Sequence, residues 1–390
     1  MTRKNPEEKS LLTDRDVCGE RLVGYDRKKC NCICRNIYRS RRLMMGELTI
    51  KDIAKACGVG VSTVSRAINN HPDINPETRK KIMDIIAEKG FTPNNSARNL
   101  KRTETNSIAL LVKGISNPFF ADMIRIMEDY VLKKRYTTLL RHVGNDDDEV
   151  AVAQTIVTEQ KVKGIVFLGG TFTHDQAALD QLNAKYVFST IGNLNENATE
   201  DKKVANIAVD DIQASYKAVE YLIEQGHRNI ALIAEGLNRP SIGQLRGQGY
   251  KKALLEHGIS IRPELIYEIK TTDDPYSMEN GYKAAFKLLT AHPEITAIFS
   301  ISDVLAFGAC RAIFDLGKKI PEDVSVVGYD GIEQGDYYNP RLTTVRQPVE
   351  EMAMVTIEHL FEMIEENVDP KDIIMPAELQ VKASSGKAKV

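Results

Sequence analysis

The sequence predicts an α/β body behind a small all-α head, and three observations carry that expectation. From Asn106 onward, short apolar runs alternate with longer stretches of helical period. Between residues 49 and 91, three brief helical patterns bring their own start and stop signals. A chain of 390 residues also exceeds what one hydrophobic core organises, so two or more domains are expected.

Charge separates the two parts. The net −2 of the whole chain divides into +6 over residues 1–45, +3 over residues 46–105 and −11 over the rest. A basic head on an acidic body suggests that only the head approaches a polyanion. No apolar run is long enough to span a bilayer, so no membrane partner is expected. The opening MTRKNPEEKSLLTDRD puts charges where a signal peptide needs an apolar core, which makes a cytoplasmic location the expectation.

Residues 1–45 show no sustained period and read as a basic N-terminal extension. Four of the six cysteines lie there, and Cys30, Cys32 and Cys34 have single-residue gaps, whereas zinc sites use gaps of two to four. No metal site is expected. Cys57 and Cys310 sit in apolar helical patterns and read as small buried hydrophobes. If Arg41-Arg42 is encoded AGGAGG, those codons form a ribosome-binding site before a start at Met44 or Met45; the rival is a disordered basic arm that strengthens non-specific DNA contact.

The head is expected over 46–92. Thr49 with Asp52 three residues on is a capping-box arrangement, and Ile53, Ala54 and Ala56 fall on one face of a first helix ending at Gly58. Gly58-Val59-Gly60 is the turn, and a second helix runs from about Val61 to Asn69 with Val64 and Ile68 facing inward. Asn75 as N-cap, Pro76 at the first helical position and Gly90 as the stop delimit a third helix. Ile82, Ile85, Ile86 and Phe91 share a core with Ile53, Val59 and Val64. Such a unit is a helix-turn-helix, whose second helix fits the major groove. Arg66 can pair bidentately with guanine, Ser62 can bond several bases, and Val61 can pack on a thymine methyl. Thr49, Thr63, Ser65 and Asn69 are sized for phosphate oxygens. The bland alternative is a solvated polar face on a generic three-helix unit.

Taken together, Thr49-Ile50-x-Asp52-Ile53-Ala54, Val59-x-x-Ser62-Thr63-Val64-Ser65-Arg66-x-x-Asn69, Asn75-Pro76-x-Thr78-Arg79 and Gly90-Phe91-x-Pro93-Asn94-x-x-Ala97-Arg98-x-Leu100 resemble the LacI/GalR repressor family, with the similarity continuing to about residue 385. One departure is Gly60, where most members carry serine as N-cap. The resemblance implies that 93–105 is a hinge that reaches the minor groove through Ala97, Arg98, Leu100 and Lys101, with Leu100 as a wedge. It also implies a homodimer on a palindromic double-stranded operator. The ending SSGKAKV carries no leucine heptad of the tetramerising kind.

In the body, strand-like runs cover 107–112, 137–143, 164–169, 186–191, 206–209, 229–234, 297–301 and 324–329. Helical patterns lie near 119–134, 146–161, 211–226, 242–257, 278–291, 303–317 and 348–366. Apolar strands alternating with helices indicate parallel sheets covered on both faces. The resemblance supplies the rest: a periplasmic-binding-protein-like (type I) core over 106–390 in two subdomains. The first would hold about 106–205 and 348–367, the second about 206–338 and 368–386, with crossovers near 205, 338–347 and 368.

Ligands gather at strand ends in open α/β sheets. Ser116, Asn117, Phe119 and Phe120 follow the first strand and are effector candidates; the resemblance implies three more, Arg246 as a pocket arginine, Tyr276 as an aromatic wall, and Asp303, after AIFSI, as a pocket aspartate. The phenylalanines also fit a core, and Arg246 and Asp303 also fit structural ion pairs. Gly114, His142-Val143-Gly144 and Gly192-Asn193 stand where ribose-binding members often carry polar acceptors, which argues against a simple pentose. The expected effector is a sugar or sugar derivative, with a purine or sugar phosphate as the alternative. The sequence contains no GxGxxG after a strand, no Walker loop, no HExxH and no GxSxG, so no catalytic residue and no cofactor are expected. The chain reads as an allosterically controlled repressor of carbohydrate-utilisation genes. The competing classes are a solute receptor with a vestigial head and an α/β enzyme.

Overall fold

A computed structural model of the chain describes residues 48–68, 71–89, 91, 106–170, 174–192, 204–270 and 274–389. The N-terminal extension with its cysteines, Asn69 and the hinge candidates Ala97, Arg98, Leu100 and Lys101 lie outside the described residues. The chain divides into two compact units, residues 1–101 and 102–390.

The first unit contains α1 (Ile50–Cys57), α2 (Val61–Ile68) and α3 (Pro76–Lys89). Asp52 accepts hydrogen bonds from the Thr49 amide at 2.9 Å and the Thr49 hydroxyl at 2.6 Å, which fixes the start of α1. Gly58 ends it with φ +70°, a conformation that side chains disfavour. The Asn75 side chain accepts from the amides of Glu77 at 2.8 Å and Thr78 at 3.3 Å, opening α3 as its cap. Ile53, Ala54, Cys57, Val64, Ala67, Ile82 and Phe91 form the core, with Val59, Ile85 and Ile86 packed on it. Ala56 was expected inside and is exposed; Cys57, one full turn after Ile53, takes that place.

The second unit holds two six-stranded sheets of matching design. In the first sheet, β1 (Ser107–Lys113), β2 (Thr137–Val143), β3 (Gly164–Leu168), β4 (Lys185–Ser189) and β5 (Ala205–Val209) run in the order β2-β1-β3-β4-β5, and β11 (Asp372–Met375) completes it beside β5. In the second, β6 (Ile230–Glu235), β7 (Ile266–Ile269), β8 (Ala297–Ser300), β9 (Ser325–Asp330) and β10 (Thr343–Arg346) run in the order β7-β6-β8-β9-β10, with β12 (Glu378–Gln380) antiparallel to β10. All other pairings are parallel. The central strands are buried throughout, as sheets covered on both faces require.

Helices α4 (Pro118–Lys133), α5 (Glu149–Gln160), α6 (Gln176–Asp180), α7 (Asp211–Glu224), α8 (Ile242–Glu256), α9 (Met278–Ala291), α10 (Asp303–Asp315), α11 (Gln334–Tyr337) and α12 (Val349–Glu365) cover the sheets. Helix α12 crosses back to the first sheet: Phe361 packs on Tyr130 and Tyr136, and the Thr356 hydroxyl pairs with Ser189 at 3.1 Å. At Gly249 a side chain would run into the Ile212 carbonyl, so only glycine lets α8 lie this close to α7.

Two crossovers fall later than expected. Because β5 pairs with β4, the chain leaves the first sheet after Val209 rather than near 205. Because β11 pairs with β5, the last crossing comes between Met375 and Glu378 rather than near 368. The strands β7, β10, β11 and β12 had not been expected. They are three or four residues long, and β11 sits at a sheet edge with alternating burial, so none carries a continuous apolar run.

Candidate functional sites: an exposed helix face and a cleft between the sheets

On α2, Val64 and Ala67 turn into the core, which leaves Val61, Ser62 and Arg66 exposed on the other side. Thr63 and Ser65 are half-buried beside them. Thr49 is exposed, but its hydroxyl is engaged by Asp52, so its first role is to cap α1. At Gly60 an added Cβ would meet nothing closer than the Ser62 hydroxyl at 3.5 Å, so the serine usual at this position would fit.

In the second unit, a cleft of about 320 Å³ opens where the carboxyl ends of the two sheets face each other. Such crevices lie where neighbouring connections leave a sheet in opposite directions, here beside β1 and β6. Ser116, Asn117, Phe119, Phe120, Arg246 and Tyr276 all line it. The two phenylalanine rings meet edge to face with centroids 5.3 Å apart.

Arg246, 5% exposed, is the hub of the cleft floor. Its Nε donates to Asp211 at 2.8 Å, its Nη1 donates to the Ile301 carbonyl at 2.6 Å, and Asp330 lies 3.5 Å from Nη1. The guanidinium also stacks 3.6 Å above the Tyr329 ring. Burial opposes its charge, but Asp211, Tyr329 and Asp330 more than offset that and hold the pKa above its ordinary value. Asp330 accepts from Gln347 Nε2 at 3.0 Å and from Asn117 Nδ2 at 2.9 Å. Burial pushes its carboxyl up, against the pull of Arg246. On the same subdomain, the Tyr276 hydroxyl donates to Glu235 at 2.8 Å, and Arg239 donates to the same carboxylate at 3.0 Å.

Asp303 does not line the cleft. It is fully buried behind it, accepting from the amides of Gly331 at 2.8 Å and Ile332 at 2.9 Å and from the Thr344 hydroxyl at 2.6 Å. Its carboxyl is pushed up to about 8, by burial first and by neighbouring Asp330 second. Asp303 therefore shapes the turn after β9, and Asp330 at the end of that strand is the carboxylate that reaches the cleft.

Residue type alone had not marked Asp330, Glu235, Asp274, Asp146 or Gln347 as lining residues. The scarcity of acceptors inferred from Gly114 and from 142–144 is made good by these carboxylates. The available signal was positional: Asp330 closes the buried run SVVGYD, and Glu235 closes IALIAE.

Residues 49–94 match the model of bacterial regulatory proteins of the lacI family, and residues 219–385 match the periplasmic binding protein-like domain. The HTH-type transcriptional regulator MalR of Clostridium butyricum is 39% identical over 336 residues, which are 85% of this chain and 97% of that one. The chain belongs to the LacI family. The probable HTH-type transcriptional repressor ExuR of Bacillus subtilis (strain 168) is 36% identical over 328 residues, 82% of this chain and 92% of that one. Among solved structures, the complex of the transcriptional regulator CelR with cellobiose matches at a TM-score of 0.63 and 28% identity, covering 86% of this chain and 99% of that one. The lac repressor dimer bound to operator and the anti-inducer ONPF shares the fold at a TM-score of 0.68 and 22% identity, over 87% of this chain and 99% of that one. As a LacI-family member the chain is a DNA-binding transcriptional regulator under allosteric effector control. Among the described residues, no helix is long and apolar enough to cross a membrane.

Proposed function

We propose that this regulator represses carbohydrate-utilisation genes and that its cleft takes a neutral sugar as effector. One observation carries the choice of ligand: among the described residues, the lysine and arginine side chains that line the cleft are already paired. Arg246 is matched by Asp211 and Asp330, Arg239 by Glu235 and Lys113 by Glu149 at 3.1 Å. A phosphate would have to break one of these pairs, whereas a hydroxylated ligand meets carboxylate acceptors beside the aromatic surface of Phe119, Phe120 and Tyr276. The CelR relative solved with cellobiose supports a sugar of this kind. In this reading Val61, Ser62 and Arg66 read bases, and Thr63, Ser65 and Asn69 contact the backbone. The hinge candidates Ala97, Arg98, Leu100 and Lys101 reach the minor groove.

The homodimer has a surface to form on. Met278, Phe286, Phe314 and Tyr337 are exposed on or beside α9, α10 and α11, next to a mainly apolar depression lined by Tyr282, Phe307 and Tyr338.

A thermal-shift screen of the full chain tests the ligand class, because a ligand at 100 times its Kd adds about 2.7 kcal/mol. Neutral mono- and disaccharides are expected to raise the melting temperature and to change operator affinity. A response confined to sugar phosphates or to purines would overturn the proposal.

A further inference from the structure

We propose that Ser116 and Asn117 form a latch that holds the two subdomains closed across the cleft. Both residues leave β1 and lead into α4, so they belong to the first subdomain. Their partners belong to the second: the Ser116 hydroxyl donates to Asp274 at 3.2 Å, and Asn117 Nδ2 donates to Asp330 at 2.9 Å. These two hydrogen bonds span the cleft side by side.

Each end is held in advance. Asn117 Oδ1 accepts from the Phe119 amide at 3.1 Å, so the same side chain that starts α4 also aims its donor at the other subdomain. Across the cleft, Asp330 Oδ1 is taken by Gln347 and Arg246, while Oδ2 receives Asn117. The backbone at Asp330 has φ +115°, outside the conformations a side chain favours, and Asp303 fixes it by accepting from the two amides that follow. Among the described residues, Asp330 is thus the one carboxylate that meets Arg246, the crossover residue Gln347 and the opposite subdomain together.

Both latch acceptors line the effector cleft. On the sugar-effector reading above, ligand hydroxyls that take Asp274 or Asp330 exchange for the latch bonds. Occupancy of the cleft then becomes a change in subdomain angle, the kind of differential contact allostery requires. The latch itself does not depend on that reading.

The variant Asn117→Asp separates its two roles. Aspartate caps a helix as well as asparagine does, so α4 keeps its start, but an oxygen now faces Asp330 where a donor stood. Spin labels on the exposed Asp129 of α4 and Lys283 of α9 report closure in the full chain without ligand. Asn117→Asp is expected to lengthen and broaden the distance distribution, and Ser116→Ala, at an exposed position, is expected to do so more weakly. Combining Asn117→Asp with Asp330→Asn exchanges donor and acceptor and is expected to bring the distance back. Wild-type distances in both single variants would overturn the latch and leave the effector reading standing. Failure of every sugar to bind would overturn only the effector reading.

Discussion

Arg246 is charged, buried and surrounded by groups that exist to keep it so. Arg246→Met removes the countercharge from Asp211 and Asp330 in a buried setting, and is expected to cost about 3–5 kcal/mol of core stability, read from urea unfolding. An unchanged midpoint would mean that the guanidinium serves the ligand alone. Asp303 predicts a pH effect with a definite sign. Its carboxyl titrates at about 8 in the fold against an ordinary 3.8, so folding takes up a proton between those values. Stability is therefore expected to fall as pH rises from about 4 to about 8, and Asp303→Asn should flatten that slope in thermal melts. On the DNA side, Arg66→Ala is expected to lower discrimination at one base pair by roughly 1–3 kcal/mol while sparing salt-driven non-specific binding. Competition between operator and scrambled duplex measures it; equal loss on both would reassign Arg66 to the phosphates. The identities of Arg246 and Tyr276 as cleft residues were legible because resemblance located them. Asp303 was assigned by the same resemblance together with its place after a strand, and it lies behind the cleft because neither says which way a carboxylate points.

At the scale of elements, end signals were the most readable feature of the chain. The Thr49-Asp52 box and the Asn75 cap both appear as hydrogen bonds at the expected residues. Asn75→Ala is expected to cost about 1 kcal/mol, seen as faster amide exchange along α3 in the full chain. Gly60→Ser should gain a few tenths of a kcal/mol by the same measurement at α2, since the added side chain has room. The long helices and the buried strands announce themselves by period and by apolar runs. Strands such as β10, with sequence TTVR, do not. Their strand state comes from hydrogen bonding to a neighbour distant in sequence, as β10 pairs with β9 and β12.

At the scale of the molecule, the paired sheets place loops from both subdomains around one cleft, and the exposed apolar face on α9 and α10 offers a dimer contact. Phe286→Glu is expected to shift the chain from dimer to monomer in sedimentation velocity and to weaken operator binding accordingly. A variant that stays dimeric would place the interface elsewhere. On the proposed latch, coupling between effector and operator depends on how the subdomains close.

The sequence by itself determined the α/β class and the helix-turn-helix with Val61, Ser62 and Arg66 turned outward. These follow from local period, capping chemistry and a strongly patterned head, all properties of residues near one another in the chain. Only the tertiary structure decided where the crossovers fall, that Asp330 rather than Asp303 faces the cleft, and that Ser116 and Asn117 reach carboxylates 158 and 213 residues away. Those outcomes rest on pairings between distant segments, and no local pattern encodes which partner a strand edge or a side-chain donor will meet.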